Sequence, residues 1–254
     1  MKYEELFQRN KGHIPLALQG KIRRATLLLV GCGLGSQIAV LAARTGFKNF
    51  ILVDGDRVSI DNLNRQAFRF SDLNENKAVA TSSLIKQINP KAKIEVHPIF
   101  LKSYNLARKL IQQSDFVVNM ADPDKMMFFI NRFAQTINRP VLFPLNIAWG
   151  GYVLIFTKNT PTLEQIVGKA KYKSGNYFYL ELLQKTISTF PEYLLKFYKQ
   201  KGKQFLKESY FPQLGVTSYL TSAIVVESIV KMLADKPVKL APRPIFLDLW
   251  EESE

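Results

Sequence analysis

Short apolar runs alternate with longer stretches of helical period over the first 150 residues of the chain. Ala25–Val30 is nearly continuous in apolar residues, the pattern of a strand buried on both faces of a parallel sheet. Ser36–Thr45 then sets Ile38, Leu41 and Ala42 on one helical face, with Gly46 as its stop. Phe50–Val53 reads as a second strand, and Lys77–Ile88 as a helix with Ala78, Leu84, Ile85 and Ile88 inward, halted by Asn89-Pro90. A strand over Ile94–Ile99 follows, and Ser103 can cap a helix running to Gln112. Phe116–Asn119 is a further buried strand, Asp124–Ile137 a helix and Val141–Leu145 a strand. This order predicts a right-handed βαβ series, with a ligand at the carboxyl ends of the strands.

After Gly151 the pattern changes. Tyr152–Thr157 reads as a strand returning across the sheet, Val216–Leu233 as a helix and Ile245–Leu249 as a last strand. Between them, Lys158–Glu208 holds ten lysines against four glutamates, with no arginine or aspartate. Tyr172, Tyr177, Phe178, Tyr179, Phe190, Tyr193, Phe197, Tyr198 and Phe205 are interleaved with those lysines. Either the aromatics pack two amphipathic helices onto the sheet edge, or the segment docks a partner beside the ligand. No repeat or linker divides the chain. The expected organisation is one α/β, Rossmann-like domain over 1–254, a mostly parallel sheet flanked by helices. Its parts are a nucleotide-binding core (1–150), a basic aromatic-rich helical insertion or crossover (158–215) and a returning helix and strand (216–254).

Composition narrows the chemistry. A single cysteine, Cys32, rules out an intramolecular disulfide and a four-thiolate zinc site, and two histidines leave little for a structural transition metal, so no zinc is expected. The opening Met1–Leu6 is polar and acidic, and no run of about 18 apolar residues suggests a membrane span, so a cytoplasmic protein is expected. The net charge of +14 is compatible with a polyanionic partner or with a solvated lysine-rich surface.

The candidate chemistry lies between Val30 and Lys77. Gly31, Gly33 and Gly35 form a strand-to-helix turn whose bare amides a phosphate can approach. Asp54, at the end of the second strand, is placed to accept hydrogen bonds from a ribose diol, with Asp56 beside it. So far a nicotinamide enzyme and an ATP enzyme fit equally. Arg65 and Lys77 separate them, because expelling pyrophosphate from a triphosphate needs cations that stabilise the leaving charge. Asn62 and Gln66 flank Arg65 as uncharged polar groups.

The strings Val53-Asp54-Gly55-Asp56, Asn62-Leu63-Asn64-Arg65-Gln66, Asn76-Lys77-Ala78 and Ile88-Asn89-Pro90 resemble the ThiF/HesA/MoeB family of adenylyltransferases, related to ubiquitin-activating enzymes. The likeness runs from about Arg9 to Asp122 and fades beyond Gly151. It implies Asp54 on the ATP ribose, Arg65 and Lys77 on the phosphates, and Asp122 as the carboxylate that handles Mg²⁺. Arg9 resembles the N-terminal arginine that family dimers extend into the partner's ATP site, so a homodimer is implied. The activity implied is ATP-dependent adenylation of a carboxylate on a carrier protein, a peptide or a small acid. The glycine turn is one residue shorter than the family's, the zinc cysteine pairs are absent, and no later cysteine can form a thioester. Three other readings stay open. A tRNA-base dehydratase of the same fold would bind through cations such as Lys169, Lys171 and Lys173. A silent partner subunit would tolerate the short turn. A nicotinamide oxidoreductase leaves Asn62, Arg65, Lys77 and Asp122 without roles.

Overall fold

The computed structural model describes residues 3–168, 175–205 and 212–250. Five parallel strands, β1 (Thr26–Val30), β2 (Asn49–Val53), β3 (Lys93–His97), β4 (Phe116–Asn119) and β5 (Val141–Ile147), carry the predicted βαβ order. β6 (Gly150–Phe156) turns back antiparallel between β5 and β7 (Ile245–Asp248). The sheet order is β3-β2-β1-β4-β5-β6-β7, so the winding reverses between β1 and β4 and opens a crevice at their carboxyl ends.

The helices are α1 (Tyr3–Leu6), α2 (Leu16–Arg24), α3 (Gly33–Thr45), α4 (Lys77–Ile88), α5 (Tyr104–Gln113), α6 (Lys125–Thr136), α7 (Leu163–Val167), α8 (Asn176–Thr186), α9 (Glu192–Phe205) and α10 (Gly215–Leu233). Successive strand residues face opposite layers. Leu28, Val30, Ile51 and Val117 meet α5 to α8, while Leu27, Leu29, Leu52 and Val118 meet α2, α3, α4 and α10. Covering both faces is what demands the unbroken apolar run in β1. Each of Leu27, Leu28 and Leu29 is fully buried, a gain of about 1.5–3 kcal/mol apiece.

Beyond shifts of a residue or two at strand ends, the structure differs from the sequence pattern at four places. α3 starts at Gly33, three residues before the expected Ser36, because the glycine turn is itself the first helical turn. α2 was not anticipated, since its Leu16 is 79% exposed and its apolar face is narrow. The basic aromatic segment forms three helices, α7 to α9, and they contribute to the core on one sheet face. Phe178 is fully buried there and Tyr179, Phe190 and Tyr193 pack against that core, which favours the packing reading for those aromatics, although Tyr177 stays 47% exposed. Tyr172, Lys169, Lys171 and Lys173 lie outside the described residues.

The fourth difference concerns α10. Its 19 residues reach a mean hydropathy of 1.4 and would cross a membrane by length and composition. Thr217, Ser218, Thr221 and Ser222 break the apolar run that sequence inspection sought, and all four are buried. The helix packs on α3, β5 and β6, which is the setting of a core helix.

Candidate active site

A cavity of about 540 Å³ opens over the carboxyl ends of β1, β2, β4 and β5. Its phosphate end is the turn from β1 to α3. Gly31 sits at φ +96°, and a Cβ there would lie 2.9 Å from the Met120 carbonyl, so neither the backbone angle nor the space admits a side chain. Gly12 has a similar φ of +94° with nothing within 4 Å, which separates the two costs. Gly12→Ala is expected to cost about 1 kcal/mol from backbone strain alone. Gly31→Ala should cost at least twice that in urea unfolding; equal losses would mean Met120 does not confine the turn. The first amides of α3 lack intrahelical partners and carry the positive end of the helix into the cavity.

Gly33 lines the cavity beside the Gln66 side chain, whereas Gly35 stands behind the wall, where a Cβ would strike the Met120 methyl at 2.9 Å. Cys32 is fully buried, and burial, with Asp54 next to it, pushes its thiol far above the ordinary cysteine range. It is packing, not a nucleophile.

Asp54 ties the turn to β2. Its Oδ2 accepts from the Cys32 amide at 2.6 Å and its Oδ1 from the Asp56 amide at 2.8 Å. Burial raises its pKa, with those two amides and Lys77 pulling the other way. The carboxylate therefore does cap the turn, and each oxygen keeps a lone pair that a ribose hydroxyl can use.

Lys77 is placed by its neighbour. Asn76 caps α4 by accepting from the amides of Ala78 and Val79, and its Nδ2 donates to the carbonyls of Asp54 and Asp56. That clamp brings the Lys77 ammonium to 3.1 Å from Asp56 with only 11% of its side chain exposed. Arg65 hangs from the preceding loop. Its Nε donates to Gln213 Oε1 at 3.2 Å, and its Nη1 to the Asp61 carbonyl and to Asn64 Oδ1. Asn62 supports that loop without reaching the cavity: it is 4% exposed, and its Oδ1 accepts from the Ser59 amide.

Asp122 follows β4 and lines the cavity, as Asp124 does. Partial desolvation raises its pKa, and the charges of Asp56 and Asp124 add to the rise. Arg9 is remote. Asn10 beside it bonds the Thr45 carbonyl at the far end of α3, a helix about 20 Å long, so Arg9 does not serve its own chain's cavity.

The fold thus gathers Gly31, Gly33, Asp54, Asp56, Arg65, Gln66, Lys77 and Asp122 around one cavity and leaves Gly35, Asn62 and Arg9 off its lining. It also recruits Phe100, Lys102, Asp124, Asn146, Tyr179 and Gln213, which sequence reasoning missed. Lys102 had a signal, a lysine just past a strand terminus and just before the Ser103 cap. Gln213 had none, because its partner Arg65 is 148 positions away. Among the described residues, no group of three or more His, Cys, Asp or Glu side chains could hold a metal by itself.

A doubly wound sheet with cations and carboxylates lining a cavity over its switch point defines a Rossmann-like α/β protein. The chain belongs to the ThiF family, whose model matches residues 7–254. It is 29% identical over 152 residues to a sulfur carrier protein adenylyltransferase of Thermus thermophilus, covering 59% of this chain and 55% of that protein. It is 31% identical over 152 residues to a molybdopterin-synthase adenylyltransferase of Haemophilus influenzae, covering 58% and 62%. The chain thus spans little more than half the length of these relatives. Among solved structures, PaaA superposes with a TM-score of 0.70 at 19% identity, over 98% of this chain and 77% of that one. The Escherichia coli MccB complex with ATP superposes at 0.67 and 19%, over 94% and 67%. At that identity these two neighbours speak for the fold alone.

Proposed function

We propose that the protein adenylates a substrate carboxylate with ATP, releasing pyrophosphate and an acyl-adenylate that an external nucleophile consumes. The observation that carries this reading is the placement of Arg65, Lys77 and Asp122 around one cavity over the switch point. The relatives' adenylyltransferase names support it. In this reading Asp54 holds the ribose, the α3 amides and Gly33 the phosphates, and Arg65, Lys77 and Lys102 the charge that develops on pyrophosphate. No thioester forms on this chain, since Cys32 is sealed in the core.

The charge balance suits Mg²⁺. Asp54, Asp56, Asp122 and Asp124 line the cavity against Arg65, Lys77 and Lys102, so a bound triphosphate would be in deficit of positive charge. A hard cation held by Asp122 and phosphate oxygens fits, because Mg²⁺ takes one or two carboxylates and seldom a full protein cage. The same logic makes a homodimer the arrangement in which Arg9 has a role, reaching the cavity of a second copy.

Asp122→Asn supplies the test. ATP–pyrophosphate exchange should fall by more than about tenfold. Melting should tell the opposite story. The folded state raises the Asp122 pKa, so its ionised form is disfavoured and stability is lost as pH rises through the folded value. Removing the charge should therefore leave the variant at least as stable at pH 7, with any gain fading in acid. Undiminished exchange would overturn the role of Asp122, and a marked loss of stability at neutral pH would make it a structural residue.

A further inference from the structure

Most of the hydrogen-bonding capacity of the Arg65 guanidinium is already taken inside the protein. Nε donates to Gln213 Oε1 at 3.2 Å, and the two protons of Nη1 go to the Asp61 carbonyl and to Asn64 Oδ1. Nη2 makes no hydrogen bond among the described residues, since Asp61 Oδ2 stands 3.9 Å away. Asp61 and Asn64 belong to the loop that carries Arg65 and move with it. Gln213 ties the guanidinium to a different element.

That element is anchored. Gln213 precedes α10 and is joined to Ala148, just past β5, by an isolated parallel bridge. The first turns of α10 are buttoned to the same end of the sheet. Thr217 Oγ1 donates to the Ala148 carbonyl, Asn146 Nδ2 to Ser218 Oγ at 2.7 Å and Thr221 Oγ1 to the Leu145 carbonyl. On its other side the segment lies against the Arg65 loop. Asn64 Nδ2 donates to the Gln213 carbonyl, and a Cβ on Gly215 would stand 2.5 Å from the Asn64 carbonyl oxygen. Only glycine lets helix and loop approach so closely. The Gln213 side chain thus reaches Arg65 from a rigid support, which is what precise placement of a charged group requires.

The chemistry of the acceptor matters as much as its position. A carboxylate in its place would pair with the guanidinium and neutralise the charge before any phosphate arrived. An amide oxygen orients the cation and leaves its charge whole. With Nε and Nη1 bonded on either side of the plane's axis, Nη2 is the corner left for a ligand. We propose that Gln213 is a positioning residue that acts through Arg65, holding the guanidinium so that Nη2 meets the phosphates that leave as pyrophosphate. This rests on the adenylation reading, which assigns Arg65 to those phosphates. It makes Gln213 a determinant of triphosphate over monophosphate, because AMP lacks the oxygens that Arg65 would grip.

The probes are Mg²⁺-ATP and AMP, titrated calorimetrically into wild type, Gln213→Ala, Gln213→Glu, Arg65→Ala and the Arg65→Ala/Gln213→Ala double variant, each also melted. Gln213→Ala should weaken ATP binding by about tenfold, the worth of one hydrogen bond to a charged group. Gln213→Glu keeps the shape and consumes the charge, so it should weaken ATP at least as much while melting no lower than wild type. AMP binding should change by less than about twofold in both, and so should ATP binding when Gln213→Ala is added to Arg65→Ala, since the effect runs through a side chain already gone. Wild-type ATP affinity in Gln213→Glu, equal losses for ATP and AMP, or the same loss persisting without Arg65 would overturn the role. A lowered melting temperature in Gln213→Glu would make Gln213 a structural residue instead. The two readings fail differently. A wild type that binds ATP no better than AMP would sink the triphosphate site and Gln213 with it, whereas a preference for ATP that survives in Gln213→Glu would sink Gln213 alone.

Discussion

Replacing Arg65 with alanine is expected to lower ATP–pyrophosphate exchange by about 10²- to 10³-fold, the loss seen when one preorganised donor to a developing charge is removed. The guanidinium is already oriented before a ligand arrives. Gln213 holds its Nε at 3.2 Å, and the Asp61 carbonyl and Asn64 hold one terminal nitrogen. These partners are neutral, and the nearest carboxylate, on Asp61, stands at 3.9 Å and is mostly exposed. Its positive charge is thus positioned without being consumed, which is what a transition-state donor requires. Arg65→Lys keeps the charge and loses the planar fork, so it should recover only part of the rate. Stability should change by less than about 1 kcal/mol, because the residue contributes no apolar packing to the core and its ion pair is long and screened. Wild-type exchange in Arg65→Ala would remove Arg65 from the site, and an unfolded variant would recast it as a strut between its loop and the segment at Gln213.

The legible parts of this molecule are those governed by local pattern. The sheet strands β1, β2 and β4 announce themselves because both faces are covered, and α4 was bounded correctly from Lys77 to Ile88 by its Asn76 cap and its Asn89-Pro90 stop. β5 and β6 extend beyond the expected Val141–Leu145 and Tyr152–Thr157, because Asn146, Gly150 and Gly151 look like breaks, as Pro144 does inside β5. Two of them are requirements of packing: Pro144 sits where no ladder bond is needed, and a Cβ on Gly151 would lie 3.1 Å from the Thr221 amide of α10. The site was half legible. Gly31, Asp54, Arg65 and Lys77 cluster within 47 positions of sequence, so one local motif carries them. Asn62 belongs to that motif yet works beneath the surface as a cap, which no spacing rule distinguishes from a ligand. Gln213 and Asn146 reach the cavity only because distant strand ends and loops meet over the switch point, and a linear reading has no access to that.

The second large effect is expected at Lys77. Lys77→Met keeps most of the aliphatic stem and deletes the ammonium, so it isolates the charge. Exchange should fall by about 10²- to 10³-fold, as for Arg65. Unlike Arg65, this variant should also lose stability at pH 7, by about 1–2 kcal/mol. The side chain is 11% exposed and its ammonium bonded to Asp56, and it is also the cation that opposes the rise in the carboxyl pKa of both Asp54 and Asp122. Asp56 is 54% exposed, so the figure sits below the 3–5 kcal/mol typical of breaking a fully buried pair. The pH dependence fixes the cause. Burial already holds Asp54 above its unfolded pKa, and without Lys77 that rise grows. The folded variant then binds the proton more tightly than the unfolded chain does, so its stability falls as pH climbs through the carboxyl range and stays low above it. The deficit against wild type should be largest at neutral pH and shrink as pH falls through the raised carboxyl range of Asp54, above the ordinary aspartate value. A deficit that stays constant over that range would show that Lys77 acts through the packing of its stem. Restored exchange in that variant would leave the phosphate site to Arg65 and Lys102.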